Sequence, residues 1–217
     1  MNSVAIVGTR KATVYGIRTA MSLGVNLSKC GFAVISGGAL GIDCAAHKGV
    51  LQSKGTAVCV LGCGIDYNYP KQNAKLKKVI ATNGAVITEY LPGTPPLPEN
   101  FPERNRIISG LSQGVLVVEA DVKSGSLITA EHAISQGRDV FCLPPASIFD
   151  RRYAGVIKYI RDGAIPVFSH LDIVYTYYDD LQEKINPENP YGDYSLDLEN
   201  QLAKNSKEEK EKKQTRT

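Results

Sequence analysis

Ser36-Gly37-Gly38-Ala39-Leu40-Gly41-Ile42-Asp43 is the stretch whose reading decides the fold. It follows an apolar run, Phe32 to Ile35, that reads as a buried strand, and it precedes a helical pattern from Ile42 through Ala45 and Ala46 to Leu51. A strand that ends in Gly-Gly and opens into a helix is phosphate-binding architecture. The glycines let the backbone approach an anion, and the helix N-terminus presents unpaired N–H groups to it. The spacing is not Gly-x-Gly-x-x-Gly, and no Lys-Ser or Lys-Thr follows, so neither the dinucleotide fingerprint nor a Walker P-loop is present. Taken alone, the loop reads either as a ligand site or as a tight strand-to-helix turn with no ligand, because glycine-rich turns are common in α/β folds.

Outward from this loop the same alternation repeats. Apolar runs at Val4–Val7, Ala57–Leu61, Ala85–Thr88, Val115–Val118, Val140–Leu143 and Ile165–Phe168 read as further strands. Helical patterns separate them: Ile17 to Leu27 with a stop at Gly31, a basic helix with Lys71, Lys75, Lys77 and Lys78, Arg104–Leu111, Leu127–Gln136, Tyr153–Arg161 and Ile173–Tyr178. Strands apolar throughout and alternating with helices predict an α/β, doubly wound, mainly parallel sheet of the extended Rossmann-like kind. Ligands in such folds sit at the carboxyl ends of the strands. Gly8-Thr9-Arg10, Ser36 to Asp43, Glu119 and Ser124-Gly125-Ser126 all follow strand ends, so one cleft should hold them. Leu91 to Pro102 contains five prolines and predicts a long irregular loop, of the kind that carries function.

The 217 residues suffice for one large domain, predicted over 1–180, followed by a charged, disordered tail over 181–217 that ends in Lys207-Glu208-Glu209-Lys210-Glu211-Lys212-Lys213. A net charge of +3 permits nucleic-acid binding without demanding it. Five cysteines, Cys30, Cys44, Cys59, Cys63 and Cys142, mostly inside apolar runs, read as buried free thiols of a reducing, cytoplasmic compartment. Cys59 and Cys63 lack a second pair, so core packing is expected and no metal site. No run is long enough to span a bilayer. His47 reads as a packed, hydrogen-bonded histidine and His132 as a helix residue. Asp43 reads as a cap on the glycine loop, since a bare carboxylate would repel phosphate. Glu119 is open between structure and catalysis.

The segments Val4-Ala5-Ile6-Val7-Gly8-Thr9-Arg10, Ser36 to Asp43 with Ala46-His47, and Gly64-Ile65-Asp66 with Tyr69-Pro70 form an ordered set. It continues with Phe101-Pro102-Glu103-Arg104-Asn105-Arg106-Ile107-Ile108-Ser109-Gly110-Leu111-Ser112, Glu119-Ala120, Ser124 to Ala130 and Asp162-Gly163-Ala164. Together these resemble the DNA-processing protein A family (DprA, also called Smf). The resemblance covers roughly residues 4 to 170. It implies a Rossmann-like domain that binds single-stranded DNA in a basic pocket, forms homodimers and recruits the RecA recombinase during natural transformation. It implies no cofactor and no established catalytic reaction. The chain departs from the family in three places. Met1 abuts the first strand where many members carry a helical domain. A charged tail stands where many carry a winged helix. Gly155-Val156-Ile157 replaces a Gly-x-Asn element.

The residues suit that reading. Gly8, Thr9 and Arg10 offer a close backbone, a hydroxyl and a guanidinium that can fork onto phosphate. Ser36, Gly37, Gly38 and Gly41, with Ser124, Gly125, Ser126 and Thr129, offer amides and hydroxyls at helix starts. Phe101 beside Arg104, Asn105 and Arg106 combines a stacking ring with charge, the usual means of holding single strands without sequence preference. For Arg104 and Arg106 a solvated helix face or an ion pair to Glu103 or Glu119 is the alternative, and Phe101 reads equally as a core anchor. A dimer is expected through Ile157, Tyr159, Ile160, Val167, Phe168, Ile173 and Val174, against the alternative that these only close the sheet edge. A competing function is a nucleotide phosphoribohydrolase of the LOG family, with Ser124 to Glu131 in place of its Pro-Gly-Gly-x-Gly-Thr run and Glu119 or Glu131 as the acid. A nucleotide sensor without turnover is a third.

Overall fold

Seven short strands lie side by side in one sheet in the computed structural model, which describes residues 2–177. They are β1 (Ser3–Val7), β2 (Ala33–Ser36), β3 (Ala57–Val60), β4 (Gly84–Ile87), β5 (Gly114–Val117), β6 (Asp139–Cys142) and β7 (Ile165–Pro166). The order is β4-β3-β2-β1-β5-β6-β7, and every pairing is parallel. The predicted doubly wound sheet is therefore present, and wholly rather than mainly parallel. Val4, Ala5 and Ile6 of the central strand are fully buried, as a strand covered on both faces must be. Each branched side chain of this kind contributes roughly 1.5–3 kcal/mol of burial. The expected tail over 181–217 lies outside the described residues.

Seven helices cover the sheet: α1 (Val14–Lys29), α2 (Ile42–Gln52), α3 (Ala74–Thr82), α4 (Asn100–Gly110), α5 (Ser126–Ser135), α6 (Ala154–Arg161) and α7 (His170–Thr176). α1 to α3 pack along one face. Ile108 of α4, Leu127, Ala130 and Ala133 of α5 and Val156 of α6 close over Ala5, Val7, Val115 and Val117 on the other. Thr13 caps α1 by accepting from the Gly16 amide at 3.0 Å, which satisfies one of the orphan donors of the first turn.

Among the boundaries that differ from the sequence reading, three have a plain physical cause. α4 begins at Asn100, not Arg104, and takes in Pro102. Pro102 sits in the first turn, where an N–H has no intrahelical acceptor, so the ring costs no hydrogen bond. β7 stops at Pro166 instead of running to Phe168. There Ser169 and Asp172 form a capping box: the Asp172 carboxylate accepts from the amides of Phe168 and Ser169, and α7 starts at His170, three residues early. Val167, Ile173 and Val174 are buried and close the sheet edge, whereas Phe168 is 79 % exposed.

One contact was not foreseen. α1 and α2 pack so closely that a Cβ on Gly49 would lie 2.1 Å from the Met21 carbonyl oxygen. On propensity alone, Gly49→Ala in a helix interior would stabilise by about 1 kcal/mol. Here it should destabilise by about 1–3 kcal/mol, the usual cost of overpacking, read as a lower urea midpoint with an unchanged slope.

His47, on α2, is fully buried, and neither ring nitrogen makes a full hydrogen bond; the Ser36 backbone is the polar neighbour. It is packed, as expected, but not hydrogen-bonded. Burial pulls its pKa from 6.5 down to about 4. The unfolded chain therefore takes up this proton first. The His47 contribution to stability is complete above about pH 6.5 and is lost as pH falls towards about 4. Burial raises the Asp43 carboxyl, whose effect runs the other way, with stability lost as pH rises through its folded pKa. Comparison with a His47→Gln variant isolates the histidine. Wild type should lose on the order of 3 kcal/mol relative to the variant between pH 7 and pH 4, measured by denaturant titration at each pH.

Candidate nucleic-acid interface

From β1 the chain winds outward through β2 and β3 to β4, then crosses back to β5 on the other side of β1. The loops leaving β1 and β5 thus part company, and the crevice between them is where an open α/β sheet takes its ligand. A cleft of about 560 Å³ occupies that position. Gly8, Thr9, Arg10 and Lys11 form one wall, Phe101, Arg104 and Asn105 at the start of α4 another, and Ser124, Gly125, Ser126 and Thr129 a third. Tyr69, Pro96 and Pro98 form the rim. Arg10, Lys11 and Arg104 line it against a single carboxylate, Asp43, so the cleft is net positive.

The glycine loop is braced from inside. The amides of Gly37 and Ala39 donate to Asp43 Oδ2 at 3.1 and 3.4 Å. Asn73 Nδ2 donates to the Gly38 and Ala39 carbonyls at 3.0 and 3.1 Å, and Arg104 Nη1 donates to the Gly37 carbonyl at 3.1 Å. Gly41 has φ +78°, and a Cβ there would lie 2.3 Å from the Thr9 carbonyl oxygen, so only glycine lets this loop dock backbone to backbone on Thr9-Arg10. Ser36 is buried and donates to the Ile6 carbonyl at 2.7 Å. Asp43 caps the loop as the sequence reading expected. Ser36, Gly38 and Gly41 do not line the cleft; Gly37 lines only a small side pocket of about 50 Å³ that shares Arg10, Tyr69, Phe101 and Arg104 with the cleft.

Arg104 is 4 % exposed. Besides Gly37 it donates to the Val60 carbonyl and, through Nε, to Asn105 Oδ1 at 3.4 Å. Burial pulls its pKa down while the Asp43 carboxylate opposes that shift. It takes neither of the fates weighed for it, a solvated face or an ion pair with Glu103 or Glu119. Arg106 points away from the cleft and pairs with Glu89. Asn105 Nδ2 holds the Gly125 carbonyl at 3.1 Å, tying α4 to the loop before α5. Arg10 is exposed and lies 5.2 Å from the Phe101 ring centroid, with Arg104 at 5.8 Å on the same ring and Tyr69 at 5.4 Å. Phe101 is half-buried: an anchor on one side, an open ring edge on the other.

Two carboxylates considered for catalysis stand outside. Glu119 is fully buried, and its Oε2 accepts from the Thr13 amide and hydroxyl at 3.0 and 2.9 Å. Glu131 is exposed on α5 and does not line the cleft. Cys59 and Cys63 are buried, and burial raises the Cys59 thiol to about 11; among the described residues no cluster could hold a metal ion. No helix among them is long and apolar enough to cross a membrane. Lys11, Tyr69 and the two rim prolines were missed as lining residues. Tyr69 stood in a motif already singled out, and Lys11 adjoins Arg10.

Residues 1–178 match the model of the DNA recombination-mediator protein A family. The chain is 42 % identical over 170 residues to the DNA processing protein DprA of Bacillus subtilis, covering 78 % of this chain and 57 % of that protein. It thus spans about half the length of the curated relatives it matches. Among solved structures, DprA of Streptococcus pneumoniae superposes with TM-score 0.74 at 41 % identity, over 80 % of this chain and 61 % of that one. DprA of Helicobacter pylori, described for its single-stranded DNA binding mode, superposes with TM-score 0.75 at 32 % identity, over 82 % and 81 %. A seven-stranded parallel sheet with a basic switch-point cleft, carrying these motifs in this order, belongs to the DNA recombination-mediator protein A (DprA/Smf) family.

Proposed function

We propose that the chain binds single-stranded DNA in the switch-point cleft and acts as a binding protein, not an enzyme. The observation that carries this is the stack of Arg10 on Phe101 with Tyr69 alongside, at the mouth of a net positive cleft. A guanidinium beside partly exposed aromatic rings can meet a phosphate and a base together; an unpaired strand presents both along its length, whereas a duplex hides its base faces. At the far wall the Gly125 and Ser126 amides open α5, a further place for a phosphate. The single-stranded DNA binding described for the Helicobacter pylori relative supports the assignment. Contacts are assigned to Gly8, Thr9, Arg10, Lys11, Phe101, Asn105, Ser124, Gly125, Ser126 and Thr129. Arg104, Ser36, Gly37, Gly38 and Gly41 hold the wall in shape, and Arg106 is reached only if its pair with Glu89 opens. The nucleotide-hydrolase reading loses support because the sole acid in the cleft, Asp43, is committed to loop amides.

Fluorescence anisotropy at several salt concentrations tests this. Single strands should bind more tightly than duplex, with a steep salt dependence. Arg10→Ala should weaken all sequences by about tenfold and lower the salt slope by about 1; Arg106→Ala should cost much less. Equal affinity in the Arg10 variant, with the fold intact, would remove the cleft from the binding site.

We further propose, on family grounds, that the chain forms a homodimer and hands its strand to the RecA recombinase. Of the residues expected at a dimer contact, Phe168 is exposed and Ile157, Tyr159 and Ile160 are half-buried. Ile134 and Ile165 lie exposed beside them around a hollow of about 450 Å³ at the β7 edge. Two coupled single-strand pockets raise avidity without new contacts. Light scattering should give twice the 23.5 kDa chain mass, and Phe168→Glu should halve it; a monomer at every concentration would sink the dimer.

A further inference from the structure

The strand-end surface beside the cleft carries large apolar side chains in water. Phe149 is 90 % exposed and Ile148 70 %, both in the loop after β6; Val122 after β5 is 55 % exposed and Val14 at the start of α1 66 %. Contacts join these loops to the walls of the cleft. Tyr15 donates to the Pro144 carbonyl at 3.1 Å, the Tyr153 and Thr13 hydroxyls lie 3.2 Å apart, and the Gly155 amide donates to the Ala120 carbonyl at 3.0 Å. The segment from Pro144 to Gly155 therefore borders both the β1 and the β5 loops.

Phe149 is held outward by its own turn. Its amide donates to Ser147 Oγ at 3.3 Å, and Asp150 accepts from the Arg152 amide at 3.0 Å and clamps the Arg152 guanidinium. Arg151 and Lys123 flank the patch; the ion pairs found among the described residues, Arg106–Glu89 and Arg152–Asp150, leave both cations unpaired. Of the acids nearby, Asp150 is neutralised by Arg152, and Asp121 accepts from the Val122 amide at 2.7 Å. An exposed ring and apolar groups beside cations outside any ion pair match an unpaired strand, which presents base faces and phosphates at once; a duplex hides its base faces.

We propose that single-stranded DNA leaving the cleft past Ser124–Ser126 continues over this rim, stacking a base on Phe149 with its phosphates beside Lys123 and Arg151. The proposal rests on the reading of the cleft as a single-strand site. It predicts a length dependence that the cleft alone would not produce.

The chain has no tryptophan, so Phe149→Trp makes a single reporter at the proposed contact. Oligothymidylates of about 5 and about 15 nucleotides bracket the reach of one site. The longer strand should quench the Phe149→Trp emission and the shorter should not, although anisotropy shows both bound. Phe149→Ala should lower affinity for the longer strand about tenfold, the size of one lost stacking contact, and leave the shorter unchanged; Arg151→Ala should weaken the longer strand alone. Unquenched emission with the longer strand bound overturns the rim, as does a Phe149→Ala effect equal at both lengths. An unchanged affinity joined to a change in the light-scattering mass would make the patch a protein surface and overturn it too. If neither oligonucleotide binds the wild type, the reading of the cleft fails instead.

Discussion

The Arg104 guanidinium, buried between α4 and the ends of β2 and β3, is the interaction on which the cleft depends. Taking such a cation out of water costs several kcal/mol unless its donors are satisfied. The carbonyls of Gly37 and Val60 and the side chain of Asn105 satisfy it, and the buried Asp43 carboxylate supplies the countercharge. Burial presses both groups towards neutrality, Arg104 downward and Asp43 upward, and each holds the other's charge in place. The arrangement tolerates little displacement. Because Phe101 lies one turn before Arg104 on the same helix face, fixing the arginine also aims the ring at Arg10.

A second consequence concerns what the cleft can take. In a strand–glycine–helix turn, backbone amides are the natural seat for a phosphate. Here Asp43 fills those of the glycine loop, and Glu119 fills the donors at the start of α1. Two internal carboxylates thus stand where a nucleotide's phosphates would bind. Among the polar groups left facing the cleft are the side chains of Arg10 and Lys11 and the start of α5. Long cations over an aromatic surface follow a flexible polyanion better than they hold one compact anion, which favours a strand over a mononucleotide.

The sheet was legible because parallel strands buried on both faces read as unbroken apolar runs; Val4–Val7 and Val115–Val118 needed nothing more. The start of α4 was not, because five prolines masked a first turn in which Pro102 is harmless. The glycine loop was correctly placed, but that its amides are satisfied internally depends on Asn73 and Arg104, which are 30 and more residues away in sequence. Arg104 and Arg106 were grouped as one basic element. Residues two apart on a helix do not share a face, and α4 turns Arg104 inward and Arg106 out to Glu89. That distinction lay within reach of the helical period once the helix was extended back to Asn100.

All residues lining the cleft fall between Val7 and Thr129. These walls are drawn from β1 to α5 and the loops between them. β6, β7, α6 and α7 stand apart from the lining, and their exposed apolar side chains, Phe149 at the strand ends and Ile165 and Phe168 at the sheet edge, lie on surfaces the cleft does not use. The rest of the perimeter is built from residues that do not line the cleft. The β7 edge and the cleft are thus built from different residues of one small domain, so that a change at that edge leaves the geometry of Arg10 and Phe101 in place.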